Sequence, residues 1–268
     1  MGSVERFLVV VESDLKELWR SGELLLMAVL LAFFQGLFFL IGNLVRREEE
    51  LFAKISGYSD SVLYQMAGVP VLLLSLVMVS AVGEYVIELG RRGALEHIQT
   101  IPVDAKLVLG AHSATITLIS LLYYLVVTVP FVYFRGGPQA VSHLLPALLV
   151  LAVGLVPLFL FAALVAILTL LVRTEAFIEL VSAAVYTFTG IAYPLTVFPQ
   201  IVATLAQLLP HPHVAESVRL AVFYGVLEPA RFLPMLAVLA GYAVFSTVLY
   251  SRIERTLRRG GRYEVVTG

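Results

Sequence analysis

Six stretches of the sequence, at about 24–45, 62–83, 107–134, 144–172, 176–209 and 232–250, hold a single Asp, Glu, Lys or Arg between them, Glu179. A bilayer's hydrocarbon core of about 30 Å is crossed by roughly 20 apolar helical residues. Inside that core every backbone N–H and C=O has to be paired within its own segment, which makes such runs helices. The sequence therefore predicts an all-α membrane protein with six transmembrane helices. Composition agrees, with 60% hydrophobic and 14% charged residues, where a soluble domain carries about 25% charged. An ordinary soluble enzyme and a disordered chain are excluded. A net charge of −1 gives no pull toward a phosphate backbone, so no nucleic-acid partner is expected. The absence of cysteine removes disulfides, thiolate metal sites and cysteine nucleophiles.

The fifth stretch has 34 residues (176 to 209) and would extend about 51 Å as one helix, too far for a single span. Pro194 and Pro199 interrupt it. The expected result is a span over 176–193, then a short re-entrant helix over about 198–209 that dips back from the outer surface. Pro146 and Pro157 are expected to kink the fourth helix. Ahead of the first span, residues 1–23 place Val4, Phe7, Leu8, Val11, Leu15 and Leu18 at helical spacing, with Glu5, Glu12, Asp14 and Glu17 mostly opposite. That pattern predicts an amphipathic helix on the membrane surface, anchored by Trp19, the only tryptophan. A secretory signal is disfavoured by those acids and by the lack of a small-residue cleavage site. With no internal repeat and no linker, residues 1–268 are expected to form a single domain.

Orientation follows from the Lys and Arg count. The N-terminal arm, the 84–106 loop, the 173–175 turn and the C-terminal tail together hold 12 of the 18; segments 46–61, 135–143 and 210–231 hold the other 6. Both termini are thereby placed in the cytoplasm. Arg46 and Arg47 fall on the outer side, where the following Glu48, Glu49 and Glu50 can neutralise them.

Chemistry-bearing motifs are scarce. There is no Gly-x-Ser-x-Gly and no His-Glu-x-x-His, and the Glu48–Glu50 run lies in a polar loop, as solvated charge runs do. None of the three lysines, Lys16, Lys54 and Lys106, follows a glycine, so the chain has no P-loop of its own. His211 and His213 are two imidazoles without an acidic cluster, too few for zinc, and no metal site is expected. The spans hold neutral groups such as Gln65, Ser75, Thr115, Thr128, Thr169 and Thr189. These suit helix–helix hydrogen bonds and offer no intramembrane charge for ion coupling. The chain reads as a non-enzyme, and if it transports, its energy enters from outside the bilayer.

Between the second and third spans, Leu95, Ile98 and Ile101 mark one face of a short helix that Pro102 ends, with Arg91, Arg92, Glu96 and Gln99 as polar surface. On the cytoplasmic side such a helix either serves as a plain interfacial connector or docks into a groove of a soluble partner.

This loop resembles that of ABC-2-type permeases, the membrane subunits of many ABC exporters. In that family an acidic-basic lead-in precedes a Gly-Thr-Leu-Glu-like motif, with Pro-Val or Pro-Ile several residues later. Arg92-Gly93-Ala94-Leu95-Glu96 and Pro102-Val103 are similar to it, with Ala94 in the threonine's place. Gly190, Tyr193-Pro194-Leu195, Phe198-Pro199, Leu209-Pro210, Glu216 and Arg219 likewise echo the family's outer segment. Pro210-His211-Pro212-His213 stands where the family usually has Asn-Pro-Leu-Thr.

The resemblance implies a multi-pass plasma-membrane protein working as a homodimer or paired permease, with ABC ATPase subunits made as separate chains that bind the ATP and Mg. Arg91, Arg92, Gly93, Leu95, Glu96, Ile98 and Pro102 would form the coupling helix that docks on the ATPase. Tyr186, Thr189, Tyr193, Pro194 and Phe198 would line or brace an outer gate. An interfacial aromatic belt is the other reading of those rings. The implied function is outward transport of a hydrophobic or amphipathic molecule of drug or lipid type. A lipid-linked polysaccharide, on whose sugars Tyr123, Tyr124 and Tyr186 could stack, and an ion are the alternative cargoes. A secondary transporter, a channel and a membrane enzyme or scaffold stand further off.

Overall fold

The computed structural model describes residues 3–45, 49–91, 105–172, 174, 176–191, 193–225 and 229–260. Of the expected coupling helix only Arg91 falls within them, as the last residue of a helix. Arg92, Gly93, Leu95, Glu96, Ile98 and Pro102 lie outside the described residues. No strand occurs among the described residues. The helices are α1 (Ser3–Ser21), α2 (Glu23–Val45), α3 (Glu49–Ser56), α4 (Ser61–Arg91), α5 (Ala105–Ser142, broken at Gly137), α6 (Leu144–Val172), α7 (Ala176–Phe188), α8 (Gln200–Ala206), α9 (Pro210–Tyr224) and α10 (Pro229–Gly260).

Helix α4 is the axis of the molecule. Val62, Met66, Val69, Leu72, Leu74 and Met78 are all sealed from solvent, against α2, α5, α6, α7 and α9. Of its apolar window Ser61–Glu84, 78% is buried, whereas the window Phe232–Leu249 of α10 is only 11% buried. One helix is therefore a core element, and the other leans on α6 and α9 with Leu233, Val244, Phe245 and Val248 exposed. These two and Leu144–Thr169 are long and apolar enough to cross a membrane.

Helix α1 lies against α5, where Asp14 Oδ2 approaches His112 Nδ1 at 3.0 Å, and leaves Trp19 79% exposed. The three segments that the cation count puts on one side do meet at one end of the bundle. Arg135, near the end of α5, pairs with Glu49 of α3 at 3.2 Å and with Asp60 at 2.6 Å. His143 Nδ1 sits 3.0 Å from Val222 O of α9. Glu49 thus belongs to a helix and an ion pair, not to a solvated loop run.

Two expectations need correction. The fifth span stops at Phe188 instead of Tyr193, leaving a helix of 13 residues. The expected single re-entrant helix over 198–209 is α8, only seven residues long, and a second helix, α9, occupies what reads as an outer loop. Prolines explain the second error. Pro210 and Pro212 fall in the first turn of α9, where the missing N–H removes no hydrogen bond, so they begin a helix there.

Candidate functional site

The end of α7 is set by Gly190, whose φ of 66° reverses the chain. A Cβ at that position would lie 2.6 Å from Leu195 Cγ, so both backbone sign and close approach require glycine. Pro194 then leads into a 3-10 turn, Leu195–Val197, and Pro199 into α8. The Tyr193 hydroxyl donates to the Thr187 carbonyl. Its ring packs on Phe198 at 5.3 Å between centroids, and Phe198 is 6.4 Å from Phe188. Thr196 Oγ1 donates to Ile55 O at 2.9 Å, fastening the turn to α3.

Of the residues expected at an outer gate, Tyr193, Pro194 and Phe198 come together in this aromatic corner. Thr189, one residue past the end of α7, is buried, and its hydroxyl donates back to Val185 O of that helix at 2.7 Å. Tyr186 stands on the exposed surface of α7.

The hairpin closes on α4 through Arg219 of α9, which is 3% exposed. Its guanidinium carbon stands 3.6 Å from the Tyr64 ring centroid. Nε donates to Tyr64 O at 3.4 Å, and Nη2 donates to Ile191 O, a carbonyl left without a helical partner by the break after α7. Gly68 makes the space, since a Cβ there would lie 2.8 Å from Arg219 Cζ. A stacked, desolvated guanidinium gains about 2 kcal/mol from an aromatic face. A buried cation without partners would cost more than that. The countercharge is Glu216, half-exposed, with Oε2 3.7 Å from Arg219 Nη1. Glu216 Oε1 also accepts a 2.6 Å hydrogen bond from the Tyr58 hydroxyl. Burial first, and the Glu216 carboxylate second, push the Tyr58 phenol above its ordinary value of 10, so it remains a proton donor in neutral water.

Around this cluster opens a cleft of about 230 Å³, walled by α3, the start of α4, the 3-10 turn, the end of α8 and α9. Deeper in, His211 and Ser75 meet at 2.5 Å between Nε2 and Oγ, both fully buried, with the imidazole edge-on to Phe161 at 4.8 Å. His213 turns the other way, its Nε2 2.7 Å from Gln207 O. Two positions apart on a helix means about 200° of rotation, so the histidines part company. Among the described residues no three His, Asp or Glu converge on a metal position.

Arg219 and Glu216 had a sequence signal only through the outer-segment resemblance, and Arg219 counted as a loop cation. Tyr64, Gly68 and Tyr58 had none beyond a glycine inside an apolar run, which usually marks close packing. A family model described as ABC-2 type transporter matches residues 5–223. No curated protein matches the chain.

Proposed function

The chain belongs to the ABC-2 type transporter family, and from that premise we propose that it is the permease subunit of an exporter that moves a hydrophobic or amphipathic molecule outward. It is an integral membrane protein and a permease component of an ABC transporter, and such components normally pair with a separate ABC ATPase subunit. In this reading ATP and Mg act on the ATPase, and two copies of the chain, or one copy and a related permease, enclose the pathway. One domain of six spans, with α1 on the inner surface and both termini in the cytoplasm of a plasma-membrane protein, gives the arrangement. Residues 92–102, expected from the sequence to be the coupling segment, carry the motion of the ATPase to the spans. Tyr193, Pro194 and Phe198 brace the outer gate.

The observation that supports this best is the interrupted fifth span. Its continuation turns back through α8, and α9 packs onto the central helix α4, a compact plug at the end of the bundle opposite the α1–α5 contact. A plug of that kind can close a pathway without a charge moving through the bilayer. The runner-up cargo, a lipid-linked glycan, is favoured by the polar floor of the cleft beside Arg219 and Glu216.

The experiment is reconstitution with an ABC ATPase and a panel of candidate compounds, scoring ATP hydrolysis and efflux. Stimulation by hydrophobic or amphipathic compounds is expected, with association lost in Glu96→Arg or Gly93→Pro. Unchanged association and unchanged transport in both variants would overturn the assignment.

A further inference from the structure

The cleft at the α8–α9 hairpin has the chemistry of a headgroup site. Its volume of about 230 Å³ falls below the roughly 300–1,000 Å³ that encloses a whole drug-sized ligand. It therefore suits one polar group whose remainder stays outside.

The floor is charged yet balanced. Arg219 spends Nε and Nη2 on two backbone carbonyls, while Nη1 faces Glu216 Oε2 across 3.7 Å. A guanidinium only donates and a carboxylate only accepts, whereas a hydroxyl does both. One hydroxyl oxygen set between Nη1 and Oε2 can accept from the first and donate to the second. An anionic group would meet the Glu216 carboxylate, and a cationic one would meet the guanidinium.

The walls continue the pattern. His213 Nε2 faces the Gln207 carbonyl and so carries a proton. Thr196 Oγ1 donates to Ile55 O and keeps its lone pairs, and Gln207 brings a side-chain amide. Beyond this polar floor the surface is apolar. Ile55 and Leu195 form part of the wall, and the adjoining α8 presents Ile201 at 72% and Leu205 at 59% exposure.

We propose that this cleft holds the neutral, hydroxyl-bearing headgroup of a lipid, a glycosyl or polyol group, with the acyl chains lying along the apolar face of α8. As a station on the cargo's route the cleft rests on the permease reading above. The assay uses the full chain without its ATPase, so loss of headgroup selectivity and loss of ATPase coupling are separate results.

The chain is placed in phosphatidylcholine nanodiscs doped equally with glucosyl diacylglycerol, phosphatidylglycerol and diacylglycerol of the same acyl composition. Native mass spectrometry then counts the lipids it retains. Retention of the glucosyl lipid about fivefold above the other two is expected, a factor worth about 1 kcal/mol. Glu216→Gln keeps an oxygen for the Tyr58 hydroxyl but leaves Arg219 without its countercharge, so the preference should turn toward phosphatidylglycerol. Thr196→Ala, at an exposed position, should reduce glucosyl retention with no gain for phosphatidylglycerol. Equal retention of glucosyl lipid and bare diacylglycerol would overturn the proposal. So would a ranking unmoved by Glu216→Gln, or equally tight binding of soluble methyl glucoside.

Discussion

The Arg219 guanidinium carbon and the Tyr64 ring centroid are 3.6 Å apart, and this contact joins helix α9 to the central helix α4. Around it the Ile191 and Tyr64 carbonyls take two of the guanidinium's N–H groups. Arg219→Ala removes the stack and leaves the buried Ile191 carbonyl unpaired, a loss of about 3 kcal/mol. Arg219→Lys retains the charge without the planar fork and should recover less than half of that. Unfolding in detergent by a far-ultraviolet signal reads both. A loss under about 0.5 kcal/mol for the alanine variant would place Arg219 among ordinary surface residues.

Gly68 is the other half of that contact. An alanine Cβ would come within 2.8 Å of Arg219 Cζ, so Gly68→Ala should cost about 1–3 kcal/mol through overpacking. In the double variant with Arg219→Ala the clash disappears. The two losses should then fall short of additivity by at least about 1 kcal/mol. Strict additivity would mean that Gly68 serves something other than the guanidinium.

Ser75 and His211 form the deepest link between α4 and α9, at 2.5 Å and out of contact with solvent. Ser75→Ala leaves both imidazole nitrogens without a partner and should destabilise by about 1–3 kcal/mol. Ser75→Thr keeps the hydroxyl and tests whether the hydrogen bond or the volume matters. If the alanine and threonine variants lose equally, packing controls the site.

Alkali should loosen the end where α3 meets α9 first. The Tyr58 phenol is held above its ordinary value of 10 by burial and by Glu216. Its raised value means the folded state keeps the proton longer than the unfolded chain. That contribution is intact below pH 10 and is lost progressively as pH rises toward the folded value. Melting temperature should therefore fall above about pH 10, and Tyr58→Phe should flatten the fall. Identical profiles for the two proteins would refute it.

Gly190 holds the break after α7 open. With φ at 66° and Leu195 Cγ 2.6 Å from a notional Cβ, Gly190→Ala combines backbone strain with a clash, and about 2 kcal/mol or more should be lost. Thr189→Ala next to it removes only a hydroxyl bonded back to Val185 O of α7 and serves as the comparison. A milder effect for Gly190→Ala than for Thr189→Ala would contradict the geometry.

What sequence periodicity exposes, and what it hides, divides along one physical line. Apolar length marks α2, α4, α6 and α10 well, because burial in hydrocarbon selects residues one at a time. The interruption near 190–200 was legible in Pro194 and Pro199, since proline acts on its own backbone. The start of α9 was not, because Pro210 and Pro212 read as breakers unless their place in a first turn is known. The pairing of Arg219 with Tyr64 and Gly68 spans more than 150 positions of chain (219 less 64 or 68). A local window contains nothing of such a contact. His211 and His213 show the converse error, as neighbours in sequence that the helix turns to opposite surroundings.

The cavity that receives the Arg219 side chain has a consequence for biogenesis. Its walls come from the Tyr64–Gly68 stretch of one helix and from Ile191 beyond another, so it exists only once both have been inserted and packed. Until then α9 carries a bare guanidinium that hydrocarbon rejects. Docking of α9 is therefore expected only after those two elements have packed. A copy that fails it displays an unsheltered cation at the bilayer edge, where quality-control machinery can tell the unfinished molecule from the finished one.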